Sequence, residues 1–176
     1  TKEFGGFWPK ANDKRKIVDT CSYDLVRRDM IILLLRTVIE NEIQGEIAEL
    51  GVFRGETARL IHNYCPERIL NLFDTFEGLP EPTSEFDDEN AKKHYSDLNA
   101  GHMTEKIRNS LHNRGMEEGK WNYGPLDVVK NNMRYTTYPR ENIHFVKGKV
   151  EETLLNSVLP EKIAILRLDT DWYEST

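Results

Sequence analysis

The spacing of apolar residues changes character several times along the chain, and each change marks an element. From Tyr23 to Gln44, the positions Leu25, Met30, Leu33, Leu34, Val38 and Ile39 recur at a roughly helical period. They predict one long helix with Gly45 as its stop. Ile31, Ile32 and Leu35 widen the apolar face, which implies cover on more than one side. A short run from Ile47 to Leu50 follows, then two glycines four apart, Gly51 and Gly55, then a helical pattern in Ala58, Leu60, Ile61 and Tyr64. That order reads as strand, tight turn and helix start. After Pro66, Arg68 to Asp74 forms a second strand. Strand, helix and strand in close succession predict a right-handed crossover and a parallel sheet.

Thr75 to Gly124 breaks this rhythm. It holds Pro80, Pro82, the acidic cluster Glu85, Asp87, Asp88 and Glu89, and Gly101, Gly115, Gly119 and Gly124. We read 75–124 as an insertion, with a helix from Met103 to Asn113, because so long an irregular connection is usually functional or mobile. Regularity returns with a helix over Leu126–Arg134 and a third strand over Asn142–Lys147, ending at Gly148. A short helix over Glu151–Ser157 and a fourth strand over Lys162–Asp169 complete the pattern. The fourth strand is nearly continuous in apolar residues, as buried parallel strands are. The expected fold is α/β: about four parallel strands with flanking helices. Thr1 to Ser22 reads as an irregular arm docked by Phe4, Phe7 and Trp8, so the domain plan is 1–22 and 23–176.

Composition narrows the partners. Thirty acidic against twenty-four basic residues give a net charge of −6, and no basic block argues for nucleic acid. Cys21 and Cys65 offer no disulfide framework, which suits a reducing cytoplasm. The longest apolar run, Met30 to Leu35, is far short of the ~20 residues that span a bilayer.

Candidate chemistry gathers at strand ends, where open parallel sheets bind ligands. Glu49 lies inside an apolar strand and needs a partner, and a bound cation or amine would be one. Gly51 and Gly55 would let the backbone approach a ligand, with Thr57 near the N–H groups of a helix start. Asp74 lies 23 positions beyond Gly51, the separation of an acid that accepts ribose hydroxyls, although a turn or cap role serves it equally. Asp169 and Asp171, one residue apart past the fourth strand, could hold a divalent cation and a catalytic base; two solvated acids are the plainer alternative. His62, His94, His102 and His112 show no repeated metal spacing, and Trp121 and Tyr123 suit a pocket wall or simple packing. The turn lacks Gly-x-Gly-x-x-Gly, which counts against a nicotinamide-dependent oxidoreductase.

Three segments together resemble the macrocin O-methyltransferase family: Gly45-Glu-Ile-Ala-Glu-Leu-Gly-Val-Phe-Arg-Gly55, Leu72-Phe-Asp-Thr-Phe-Glu-Gly-Leu-Pro80 and Leu166-Arg-Leu-Asp-Thr-Asp-Trp-Tyr-Glu-Ser-Thr176. Phe145 to Leu154 also matches, so the likeness runs from Gly45 to the last residue around a divergent insertion. The resemblance implies a Rossmann-like class I methyltransferase sheet and an S-adenosylmethionine-dependent enzyme acting on a hydroxyl of a sugar or other small molecule. It further implies that Glu49, Gly51 and Gly55 border the methionine part of the cofactor, Asp74 the ribose and Gly148 with its neighbours the adenine, with Thr57 a further cofactor-binding candidate at the helix start. Asp169 would bind Mg²⁺ and Asp171 would be the general base, with 75–124 in the place of a lid. The family usually has glycine where this chain has Thr170, and a further half-sheet of paired acids that would complete the metal site. Without that half-sheet the fourth strand is expected to be an exposed edge, open to a second copy or another partner. A non-catalytic interaction domain is therefore a rival expectation.

Overall fold

The computed structural model describes residues 25–83, 85, 87–99, 120, 122–134 and 140–172. The arm, the helix expected at Met103–Asn113, and His102, His112 and Trp121 lie outside them. The elements are α1 (Leu25–Glu40), β1 (Glu46–Leu50), α2 (Glu56–Tyr64), β2 (Leu70–Asp74), α3 (Glu89–Asn99), α4 (Leu126–Met133), β3 (Ile143–Lys147), α5 (Val150–Asn156) and β4 (Ile163–Leu168). All four strands are parallel, in the order β3-β2-β1-β4. The chain thus builds outward from β1 through β2 to β3, then returns past both to add β4 on the other flank.

Strand side chains alternate between two faces. Ile47, Leu70, Leu72 and Ile143 join Leu35, Ala58, Ile61, Val129 and Met133 in the main core, between the sheet and α1, α2 and α4. On the opposite face Ala48, Leu50 and Phe73 pack with Val150 at the start of α5. Asn71, buried on that second face, donates to Glu46 Oε2 at 2.7 Å and lies 3.3 Å from His144 Nδ1, so its amide is satisfied across three strands.

Two expectations for α1 are corrected. The helix α1 buries Ile32, Leu35 and Val38, whereas Val26, Met30, Leu33 and Leu34 are exposed. A helix apolar all round does not declare its inner face, and the sheet selects one. Nor is Gly45 the helix stop. The helix closes earlier, with Glu42 left-handed (φ 51°), Ile43 N–H on Val38 O at 3.0 Å and Glu42 N–H on Ile39 O at 3.1 Å. This is a Schellman closure made without glycine. Gly45 is needed instead where the chain brushes β4: at φ +131°, an added Cβ would lie 2.7 Å from Ala164 N.

The helix α3 falls in the insertion, outside the stretch expected to be helical. Asp88 Oδ1 caps it by accepting from Ala91 N–H at 2.7 Å, and Lys92 pairs with Glu89 at 2.7 Å. The strand β4 is an edge of the described sheet, with Leu166 and Leu168 52 % and 45 % exposed, the exposed apolar edge expected of it. Among the described residues no helix is long and apolar enough to cross a membrane.

Gly45→Ala should lower unfolding free energy by about 2–4 kcal/mol, because the clash is with backbone and the φ is unfavourable. Urea denaturation measures it. A loss under about 0.5 kcal/mol would mean that β4 yields freely there.

Candidate active site

The carboxyl ends of the strands are knitted together by backbone contacts. Gly51 N–H donates to Phe73 O at 2.9 Å, Asp169 N–H to Leu50 O at 2.9 Å and Gly148 N–H to Asp74 O at 3.0 Å. These ends form the floor of a cavity of about 280 Å³, whose lining includes Arg27, Gly51, Asp74, Gly148, Asp169 and Asp171. It lies where strand order reverses between β1 and its two neighbours, the usual ligand crevice of an open α/β sheet.

The turn after β1 is held from β2. Asp74 Oδ2 accepts from Val52 N–H at 2.7 Å and Phe53 N–H at 3.0 Å, while Oδ1 accepts from Phe76 N–H at 2.7 Å. The carboxylate is therefore a strut across two turns, with remaining acceptor capacity on Oδ1. Gly51 (φ +84°) is required by its neighbour strand, since an added Cβ would lie 2.2 Å from Asp169 O. At Gly55 an added Cβ would meet Val129 Cγ1 at 3.0 Å, so this glycine admits α4.

Glu49 finds its partner within the chain. It stands opposite Arg167 in the β1–β4 register, and Arg167 Nη1 donates to its Oε1 at 2.6 Å. The partner is this guanidinium of the chain itself rather than the bound cation or amine expected from the sequence. Glu49 is only 1 % exposed, and burial pushes its carboxyl up to about 8 although Arg167 pulls it down. The other end of the same guanidinium holds Asp169 through Nη2, and Arg27 Nη1 reaches Asp169 Oδ2 at 3.4 Å. A row of four ionisable side chains thus runs from the core to the cavity: Glu49, Arg167, Asp169, Arg27.

Asp171 is met from the insertion. Asn122 Nδ2 donates to its Oδ2 at 2.6 Å. The carboxyl opens on the cavity, yet crowding by the walls pushes its pKa up, while Asn122 pulls it down. Two further contacts bind this region together. Trp172, buried, donates Nε1–H to Pro80 O at 2.8 Å and stands edge-on to Tyr95, centroids 6.3 Å apart. The backbone at Gly124 runs so close to the β1 turn that an added Cβ would sit 1.8 Å from Phe53 O.

The cavity therefore brings together five of the residues singled out from sequence, Gly51, Asp74, Gly148, Asp169 and Asp171. Glu49, Gly55 and Thr57 do not line it; Glu49 and Thr57 are buried beside the same strand and helix. Sequence reading missed Arg167, Arg27 and Asn122. Of these, Arg167 carried a signal, as the lone charge within the apolar run of β4.

The donor set tests the expected Mg²⁺. Among the described residues no three acidic, histidine or cysteine side chains converge. Asp169 already serves two guanidiniums. A divalent ion there would have to displace both and recruit further oxygen ligands, so the described residues do not fit one.

An open α/β sheet with this cleft at its switch point is the Rossmann-like arrangement of nucleotide-cofactor enzymes. The sequence profile of the macrocin-O-methyltransferase (TylF) family matches residues 26–176, and the chain belongs to that family. It is 27 % identical over 158 residues to 8-demethyl-8-(2,3-dimethoxy-α-L-rhamnosyl)-tetracenomycin-C 4′-O-methyltransferase of Streptomyces olivaceus, covering 86 % of this chain and 52 % of that one. It is 26 % identical over 155 residues to demethyldecarbamoylnovobiocin O-methyltransferase of Streptomyces niveus, covering 85 % and 51 %. The solved O-methyltransferase NovP superposes with a TM-score of 0.60 at 25 % identity, over 85 % of this chain and 55 % of NovP. The chain spans about half the length of the curated relatives it matches.

The raised carboxyl of Glu49 gives a signed pH dependence. The folded state holds that proton more tightly than the unfolded state, so its contribution is complete below about pH 4.5 and is lost as pH rises through about 8. Urea melts of wild type should therefore show a decline over that window which Glu49→Gln flattens. Equal slopes in the two proteins would contradict the assignment.

Proposed function

We propose that this chain binds S-adenosylmethionine and directs methyl transfer to a hydroxyl of a small molecule, a sugar or other natural product. The observation that carries the reading is that Gly51, Asp74, Gly148, Asp169 and Asp171, from four different strand ends, share one cavity. Family membership supports the chemistry.

S-adenosylmethionine supplies, when bound, an electrophilic methyl group on a sulfonium. The chain's own work is to position two reactants and to accept a proton. The remaining acceptor capacity on Asp74 Oδ1 suits a ribose hydroxyl, and Gly148 offers a bare backbone beside the adenine. Asp171 takes the proton of the acceptor hydroxyl as its oxygen gains the methyl. A carboxyl raised by crowding is a stronger base than an ordinary one, which is what this role needs. Asn122 holds the receiving oxygen in place. Pro80 and Trp172, tied together, form the wall on the insertion side.

A second reading, an interaction domain joined through β4, is supported by the exposed Ile163, Leu166 and Leu168 of that edge. A monomeric mass by light scattering would remove it.

Titration calorimetry with S-adenosylhomocysteine tests the first reading: the folded wild type should bind it. Asp74→Ala should weaken binding about tenfold or more, since the strut that shapes the floor is lost. A folded chain without affinity would sink the proposal. The base assignment has its own test. Asn122→Ala removes a bond that favours the charged carboxylate, so the acid limb of methylation against pH should move to higher pH. An unmoved limb would discharge Asp171 from the role.

A further inference from the structure

We infer that a groove on the other side of the turn after β2 is a second binding site, one that takes an aromatic carboxylate. Lys120 and Lys130 meet the anion, and Phe76 and Tyr123 meet the ring. The site is independent of the cofactor reading above.

The groove has a volume of about 670 Å³ and shares no described lining residue with the first cavity. Three chain segments form the partition, and neighbouring residues in each are divided between its two sides. Thr75 and Gly78 line the cavity, whereas Phe76 and Glu77 line the groove. Asn122 and Gly148 belong to the cavity, Tyr123 and Lys147 to the groove. The helix α4 supplies the remaining wall, with Lys130 on it.

Charge separates the two spaces. Among the described lining residues, the cavity sets Arg27 and Lys149 against Asp74, Glu151, Asp169 and Asp171. The groove reverses that balance, in a chain of net charge −6, by setting Lys120, Lys130 and Lys147 against Glu77 and Asp127. Lys147 is engaged, its Nζ 2.6 Å from Glu77 Oε1. The other two meet rings. Lys120 Nζ stands 4.2 Å from the centroid of Tyr123, and Lys130 Nζ 5.5 Å from that of Phe145. Among the described residues neither makes an ion pair. A ring attracts an ammonium through its face and leaves N–H donors for an oxygen anion. The carboxyl of Glu77 registers how the lysines converge: the bond and charge of Lys147 hold it below the usual carboxylate range, and Lys120 adds to the effect.

The balance also selects the anion. With Lys147 and Glu77 cancelling, Lys120 and Lys130 face Asp127 with one positive charge over. A carboxylate neutralises it, whereas a phosphate dianion overshoots. The floor asks for a ring. Phe76 is buried and stands edge-on to Phe145, centroids 6.2 Å apart, and Tyr123 and Leu126 continue the apolar surface. A bare ion would leave that surface in water; an aromatic body covers it.

The test titrates ¹⁵N-labelled wild type with 2-naphthoate, its uncharged counterpart 2-naphthamide and inorganic phosphate, and follows amide shifts by NMR. The carboxylate should give saturable shifts around Phe76, Tyr123 and Lys147, with the amide and phosphate each about 3- to 10-fold weaker. The double variant Lys120→Gln, Lys130→Gln should bind 2-naphthoate about 3- to 10-fold more weakly and 2-naphthamide as wild type does. Both lysines are exposed, so the melting temperature should scarcely move. Absence of saturable shifts, equal affinity for the carboxylate and the amide, or an unchanged double variant overturns the site. So do shifts gathered around Gly51 and Asp169, which would place the ligand in the first cavity. Phosphate binding as tightly as 2-naphthoate makes the groove a general anion patch and overturns the aromatic assignment.

Discussion

An acidic side chain cannot be left without a partner in the middle of a sheet, and the contact of Glu49 with Arg167 is the constraint from which the rest of this structure follows. It joins β1 to β4 side chain to side chain at a matched register position. A slip of one residue would turn Arg167 to the other face and strand Glu49 in the core. With the register set, Asp169 emerges next to the β1 turn, and the same guanidinium holds its carboxylate there. Core packing and cavity geometry are thus governed by one side chain with two ends.

Around that pair the cleft is shaped by close approaches. The β1 turn is pinned from below by Asp74, flanked by Asp169 through Gly51, and covered by the backbone at Gly124. Each neighbour belongs to a different element, so the turn has little freedom left. Phe53, left-handed at φ 52° without being glycine, is what such crowding produces. A rigid turn suits a site whose task is positioning.

Sequence reading recovers what local pattern encodes. All four strands fall within one or two residues of their expected bounds, because short apolar runs bounded by glycine, proline and acids have few other uses. The strand-end acids and glycines could be placed by the parallel-sheet rule alone. What stayed hidden depends on distance. Nothing near Asn122 announces that it meets Asp171, 49 residues away. The inner face of α1 was ambiguous because apolar side chains surround it, and α3 was missed because a capped, charged helix has little apolar period to detect. Glycine was legible as a demand for space, but not for whose space: Gly51 and Gly55 admit a strand end and a helix, and Gly45 admits β4.

Glu49 and its guanidinium are 118 residues apart. A chain that emerges from its amino end therefore has β1, β2 and β3 to assemble well before the counter-charge exists. Over that interval an apolar interior favours the neutral acid over the anion. Docking of β4 closes the longest loop among the described strands and brings the guanidinium that eases charging of the buried position, so strand addition and the electrostatic setting of Glu49 are a single transition.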